Sequence, residues 1–204
     1  AYAARPVVEN ELIYETADGE FVIHYAVEGR DALKHQDDTA PADGSPDVIQ
    51  SIESGLDNMF NTYVVTENWR KWAPDELEGD GRIDVYVIDF GDENMTTRGY
   101  ATSLDLNHGV SCYIRLNATL DREMIESVAA HELHHCSQFA YNRLIDSWVK
   151  EGAATHAQYR LYSGGEVFRL ALDGLWSARL NEPEWGLANT DIFYEYSGFT
   201  WMKY

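Results

Sequence analysis

The chain of 204 residues is poor in basic side chains, with 15 Lys and Arg against 35 Asp and Glu, and its formal net charge is −20. A surface of this sign repels nucleic-acid phosphates and anionic lipid headgroups, so we expect neither class of partner. The chain also lacks any apolar run of about 18 residues, which excludes a membrane-spanning helix. No internal repeat or low-complexity block is present, so repeat architectures are excluded as well.

Cysteine is also scarce, because Cys112 and Cys136 are the only two in the chain. Two cysteines are too few for a disulfide-based scaffold. One lies in a predicted strand and the other in a predicted helix, so they form either a single bridge or two buried thiols. Residues 1–10 lack the charged start and apolar run of a signal peptide. The aromatic-rich end shows no stop signal, and we expect the natural protein to continue beyond Tyr204.

Apolar residues make up 45% of the chain and aromatic residues 13%, which is enough for a real core. Their spacing predicts strands at 11–15, 21–27, 83–90, 102–107 and 110–116. Helical spacing and capping residues predict helices at 46–65, 121–144, 147–163 and 166–178. This order predicts an α+β fold. A mixed β-sheet with one helix would form an N-terminal α/β subdomain (1–120), and a mainly helical subdomain (121–204) would follow.

The second predicted helix, 121–144, carries the sequence HELHH at residues 131–135. His131 and His135 are four residues apart and therefore share one face of a helix, where both imidazoles can bind one tetrahedral ion at ~2.0–2.1 Å. Glu132 flanks that face and can accept a proton from an attacking water. This is the H-E-x-x-H arrangement of zinc hydrolases. His134 lies off the shared face, and we do not expect it to be a ligand.

A catalytic zinc needs three protein ligands and one open position. One known solution places a histidine six residues after the second histidine and a glycine three residues after it, but Tyr141 and Gln138 occupy these positions here. A carboxylate from the following helix is the other solution, and Glu151 is our preferred third ligand. Asp146 and His156 are the alternatives. The competing interpretation of HELHH is a polar stripe of the helix that faces solvent. The lack of Lys and Arg in residues 127–140 argues against such a stripe.

Together, HELHH and the later WVKEGAA (148–154) resemble the gluzincin metallopeptidases, which include thermolysin-like and collagenase-like enzymes. The segments FVIHYAVEGRDA (21–32), DGSPDVIQSIESGLDNMF (43–60) and RIDVYVIDF (82–90) resemble a poorly characterised group of secreted bacterial and archaeal metallopeptidases. The likeness covers most of residues 20–160. It implies a zincin-like fold and a secreted or cell-envelope zinc endopeptidase that acts on protein or peptide substrates.

The resemblance also implies roles for individual residues. His131, His135 and Glu151 would hold zinc, and Glu132 would be the general base. A Tyr or His from the later helical part would stabilise the oxyanion, and the candidates are Tyr194, Tyr196 and His156. Residues 110–116 (VSCYIRL) would pair with an extended substrate, and a bridge from Cys112 to Cys136 would pin that strand to the helix in an oxidising compartment.

Two other functions use the same metal chemistry. The first alternative to the peptidase is a catalytically impaired metal-binding module for surface attachment. The second is a zinc amidase that acts on cell-wall peptides. Retention of Glu132 favours an active hydrolase over the first of these. The acidic loops at 35–44 and 74–81 are candidate calcium sites, because hard cations prefer several oxygen ligands, although neither loop fits an EF-hand.

Overall fold

A computed structural model describes residues 4–76, 80–91, 97–106 and 109–163, together with residues 186, 196 and 198. The predicted helix at 166–178 lies outside these residues. Within them the chain forms five strands and three α-helices: β1 (Leu12–Glu15), β2 (Phe21–Tyr25), α1 (Asp47–Met59), β3 (Ile83–Ile88), β4 (Gly99–Leu106), β5 (Gly109–Asn117), α2 (Arg122–Tyr141) and α3 (Ser147–Tyr162). This confirms the predicted α+β class, with a sheet first and a mainly helical part after it. The subdomain boundary at residue 120 stays a prediction.

The five strands form one mixed sheet in the order β1-β2-β3-β5-β4. The two outer pairs are antiparallel, and the central β2-β3 and β3-β5 pairs are parallel. Strand β5 is therefore bonded on both sides, and the prediction that 110–116 pairs with a substrate is wrong. Strand β4 lies at the edge instead, and it packs beside α2. The prediction chose the strand that precedes α2 in the sequence. That strand is β5, but in the β4–β5 hairpin the earlier strand, β4, is the outer one.

The main core lies between one face of the sheet and the helices. Ile23, Val85 and Ile114, from three neighbouring strands, are fully buried in it. Full burial of such a side chain stabilises the fold by about 1.5–3 kcal/mol. The opposite face carries a smaller apolar cluster that includes Tyr86 and Tyr113. In the described ranges, no helix is both long enough and apolar enough to cross a membrane.

Helices α1 and α2 approach each other closely at Gly55. A Cβ atom at this position would lie 2.2 Å from the backbone oxygen of Glu126 and 3.2 Å from the Cβ of Ala129. No side chain fits in that space, so glycine is required for the two backbones to touch. This contact packs α2 against α1, while other contacts of α2 hold it against β4 and β5.

The helix ends differ from prediction by a few residues. Asp121 caps α2 as expected, because its side chain accepts a hydrogen bond from the Met124 N–H at 2.9 Å. The helix ends at Tyr141 rather than near 144, since Asn142 is already extended. Helix α1 ends at Met59, and the chain continues to Thr66 as a π-helix. The wider π-helical turn was not predicted, because periodicity does not separate it from an α-helix.

Cys112 and Cys136 form a disulfide that joins β5 to α2. Both cysteines are completely buried. Of the two alternatives left open by the sequence, the structure therefore contains the bridge. The bond links the strand inside the sheet to the residue that follows His135, so it fixes α2 against the sheet close to the histidine cluster.

We predict that the Cys112→Ala/Cys136→Ala double variant loses about 3–4 kcal/mol of unfolding free energy. In the loop-entropy account, a cross-link between residues 24 positions apart restricts the unfolded chain by about this amount. Urea unfolding monitored by far-UV circular dichroism measures the loss. Wild-type protein that is unfolded with a reductant present is the control, because it lacks the cross-link but keeps both sulfur atoms. Equal stability of the oxidised wild type and both other forms would contradict the prediction.

Candidate metal centre

The histidine-rich part of α2 is enclosed on all sides. Every residue from 127 to 139 is buried, and His131, Glu132 and His135 are 6%, 6% and 4% exposed. The interpretation of HELHH as a solvent-facing polar stripe is therefore wrong. Buried polar groups need partners, because burial of an unpaired charge or donor is strongly unfavourable. The partners of these side chains consequently define the site.

Glu151 of α3 lies directly opposite the two histidines. Its Oε2 atom is 3.3 Å from the Nε2 of His131 and 3.3 Å from the Nε2 of His135. Two ligand atoms bound to one tetrahedral zinc at ~2.0–2.1 Å lie about 3.3–3.4 Å apart, so these distances match a shared ion. Within the described residues, this is the one group of three or more His, Cys, Asp or Glu side chains whose ligand atoms lie within 4.8 Å of each other.

The chemistry of these three groups also fits zinc. Two imidazole nitrogens and one carboxylate oxygen are a common donor set for a catalytic zinc, and they leave a fourth position open. Burial opposes the ionised form of Glu151, but His135 and His131 outweigh it and hold the pKa of this carboxyl well below its usual range. The carboxylate is therefore ionised, as a metal ligand must be. Neither Asp146 nor His156 belongs to the cluster, although the sequence left both open as the third ligand.

Glu132 lies between α2 and the edge strand β4. The backbone N–H of Ala101 faces its carboxylate and favours the ionised form, which acts to lower the pKa of Glu132. Gly99 also lies against this side chain. A Cβ atom built at Gly99 would be 2.9 Å from the Cγ and the Oε1 of Glu132, and 2.9 Å from the Cγ1 of Val128. Burial raises the pKa of Glu132 to about 7, and the nearby charge of Glu151 adds to this effect. The side chain is thus held under the edge strand, beside the two histidines.

His134 has a different environment from its two neighbours. It is 1% exposed, and its ring lies 5.3 Å from the Tyr63 ring and 5.0 Å from the Trp69 ring, measured between centroids. Burial lowers its pKa well below the usual value, and the other histidines act in the same direction. His134 is therefore a neutral residue in an aromatic pocket. This agrees with its predicted position away from the shared face.

Tyr196 is the oxyanion candidate that the structure brings to the cluster. Its ring stacks on His131 with a centroid separation of 6.0 Å and an interplanar angle of 24°. His156 lies on α3, one and a half turns after Glu151, and it is close enough to depress the pKa of His134. Tyr194 lies outside the described residues.

Three residues next to the cluster were not expected from the sequence to act there. Lys150 places its Nζ 3.2 Å from the Oε1 of Glu151. Gln138 hydrogen-bonds to His135 Nδ1, and Gly99 lies against Glu132. The sequence signal for Gln138 was its position three residues after His135, on the same side of the helix. No sequence signal identified Gly99, because its partner is 33 positions away in another element.

The two acidic loops give calcium binding no support. In the first loop, Asp38 accepts hydrogen bonds from the backbone N–H groups of Asp43 and Gly44. Asp47, which follows that loop, accepts from Thr39 and Ala40 in the same way. The carboxylates therefore satisfy the backbone of their own turn. The described part of the second loop adds no metal-binding group.

Comparison with known proteins gives one match. A family model described as "Predicted Zn-dependent protease (DUF2268)" matches residues 64–182, which is more than half of the chain. The matched region contains the histidine-rich helix, the edge strand and Glu151. No curated protein and no solved structure matches the chain.

We predict that Gly99→Ala destabilises the protein by about 1–3 kcal/mol, since its methyl group would overlap the Glu132 side chain in a close-packed site. Chemical unfolding gives the value. The same substitution in a Glu132→Ala background should be less harmful, because the overlapping Cγ and Oε1 atoms are then absent. Strict additivity of the two substitutions would show that Gly99 and Glu132 do not interact.

Proposed function

Since the chain belongs to the family of predicted Zn-dependent proteases DUF2268, we propose that it is a gluzincin-type metallopeptidase that hydrolyses peptide bonds. The observation that supports this most strongly is the 3.3 Å separation of Glu151 Oε2 from both histidine Nε2 atoms. Two imidazoles and one carboxylate are the zinc ligands of this enzyme class. The 3.3 Å separations equal the distance between two ligand atoms that bind one tetrahedral zinc ion.

In this proposal His131, His135 and Glu151 hold the zinc ion. When bound, zinc supplies Lewis-acid chemistry, namely activation of a water molecule and polarisation of the scissile carbonyl. The three ligands come from two helices that are packed together, so their separation depends on rigid elements. Lys150 contacts the second carboxylate oxygen of Glu151. It thereby leaves the first oxygen to face the histidines.

Glu132 is the proposed general base. It follows the first histidine ligand in the chain, and the Ala101 N–H holds its carboxylate beneath the edge strand. From that position it would accept the proton of the attacking water and return it to the leaving amine. Proton transfer of this kind contributes about 10²–10⁴-fold to a rate.

The substrate is proposed to lie along β4. This strand is at the edge of the sheet, and its Gly99 and Ala101 both contact the proposed base. An extended peptide that adds to the free edge by backbone hydrogen bonds would run directly past Glu132. Backbone pairing is largely independent of sequence, so side-chain pockets next to the edge would set any cleavage preference.

Tyr196 is the proposed oxyanion-stabilising residue. Its ring stacks on His131, and a phenolic O–H is a suitable donor to a developing negative charge. Donors of this type act when they lie close to the position at which the oxyanion forms. His156 and Tyr194 are the other candidates.

A secreted or cell-envelope location is also part of the proposal. The disulfide between Cys112 and Cys136 supports it, because stable disulfides are characteristic of oxidising compartments. The net charge of −20 would keep such an enzyme soluble outside the cell.

We predict that Glu132→Gln lowers the hydrolysis rate by about 10²–10⁴-fold while zinc content stays at one ion per chain. Glutamine keeps the shape of the side chain but cannot accept the proton. Casein cleavage and metal analysis of the same preparation test both statements. Glu123→Gln, an exposed change at the start of α2, is the matched control. A fully active Glu132→Gln variant would remove this residue from the mechanism.

Chelator treatment separates the proposed peptidase from the alternatives. If the wild type binds zinc but shows no chelator-sensitive cleavage of casein, cell-wall stem peptides are the next substrates to assay. Cleavage of these peptides would indicate an amidase. Zinc binding without turnover of either substrate would indicate a metal-binding module.

We predict that Glu151→Ala weakens zinc binding by more than the roughly 10–100-fold that loss of an outer partner of a ligand causes. Competition with a chromogenic chelator measures the dissociation constant. Asp146→Ala and His156→Ala are the matched controls, because both residues lie on or beside the same helix and neither belongs to the cluster. Unchanged affinity in Glu151→Ala, with a loss in either control, would reassign the third ligand.

A further inference from the structure

Gln138 connects the two helices that supply the clustered side chains. Its Oε1 atom lies 2.7 Å from His135 Nδ1, and its Nε2 atom lies 3.0 Å from the backbone oxygen of Lys150, the residue before Glu151. The side chain is 5% exposed. We propose that Gln138 is the positioning residue of the metal centre, which fixes the tautomer of His135 and the place of Glu151. The inference rests on the proposed function in that both partners are proposed zinc ligands.

The donor and acceptor types determine which end of the amide faces which partner. The Lys150 carbonyl only accepts hydrogen bonds, so the NH₂ end of Gln138 must face it. The carbonyl end of the amide then faces His135. Because this oxygen also only accepts, His135 Nδ1 must carry the hydrogen. A neutral imidazole with its hydrogen on Nδ1 has its lone pair on Nε2, so His135 could offer this atom, which lies 3.3 Å from Glu151 Oε2, to the proposed zinc ion.

The bond to Lys150 controls the other ligand. It reaches the backbone of the first turn of α3, one residue before Glu151. A buried hydrogen bond between two helices restricts their relative displacement, because its loss would leave a donor unsatisfied in the interior. One side chain thus holds the ring of one proposed ligand and the backbone that carries another.

His131 provides an internal contrast. Its Nδ1 atom is buried and has no hydrogen-bond partner among the residues that the structure describes. Among the described residues, a hydrogen bond therefore orients the ring of His135 through Nδ1, and none does so for His131. Ligand histidines with a hydrogen-bonded second nitrogen are oriented and more basic. We therefore expect His135 to be the better-ordered ligand before zinc binds.

The tautomer can be measured without zinc, by long-range ¹H–¹⁵N correlation spectra of the metal-free protein. We expect Nδ1 of His135 to carry a hydrogen in the wild type, in either the neutral or the doubly protonated ring, because it faces the Gln138 oxygen. In Gln138→Met, which keeps the volume but has no acceptor, we expect a shift towards the Nε2–H tautomer. A wild-type His135 protonated at Nε2 alone would overturn the inference, as would an unchanged tautomer in Gln138→Met.

Zinc affinity, measured by chelator competition, gives the second readout. We expect Gln138→Met to bind zinc about 10–100-fold more weakly. Gln138→Glu retains an acceptor for His135 Nδ1 but gives up the donor to Lys150, so we expect it to recover part of this loss. Gln158→Met is the matched control: Gln158 is also buried, but it bonds to Ser127 and contacts no proposed ligand. Its zinc affinity should equal that of the wild type.

These readouts distinguish a positioning role from mere packing. Equal loss of affinity in Gln138→Met and Gln138→Glu, or in Gln158→Met, would overturn the inference, because a general packing defect would then explain it. Failure of the proposed function gives another result: the wild type would bind no zinc, although Nδ1 of His135 would still carry a hydrogen. Thermal unfolding of each variant verifies that it is folded before zinc is added.

Discussion

Burial of residues 127–139 of α2 is the constraint on which the rest of this structure depends. A helix that is enclosed on all sides is normally apolar all round, yet this one carries Glu132 and three histidines. Isolated charges and unpaired polar groups are strongly unfavourable in such surroundings. Two of these polar features are met by groups from other parts of the fold: Glu151 faces the two outer histidines, and the Ala101 N–H faces Glu132. His134, which has no charged partner, is kept neutral between aromatic rings.

The neighbours of α2 are attached to it by contacts of different kinds. Gly55 allows the backbone of α1 to touch it, and Gly99 allows β4 to lie over Glu132. The Cys112–Cys136 disulfide links it covalently to the central part of the sheet, and Gln138 connects it to α3. Sites that are built on rigid elements keep their geometry better than sites on loops. The proposed hydrolytic centre would need this rigidity, because small displacements of reacting groups reduce rates strongly.

Much of the local structure could be predicted from the sequence. The spacing of His131 and His135 follows from the 3.6-residue period of a helix, and the Asp121 cap follows from its side-chain chemistry. The α+β class followed from the order of strand and helix patterns. Three features could not be predicted from these patterns: the π-helical turn, which has no periodic signature of its own, the order of β4 and β5 in the sheet, and the burial of residues 127–139 on all sides of α2. Each depends on contacts between distant segments.

The sequence by itself therefore determined which residues carry metal chemistry on one helical face, because that arrangement depends only on neighbours three or four positions apart. Tertiary structure decided which third side chain meets the two histidines, namely Glu151 rather than Asp146 or His156. It also decided which strand edge borders the site, and it gave Gln138 and Gly99 their partners. The physical reason is that these contacts arise only when separate elements pack against one another, and no local periodicity encodes the distance between them.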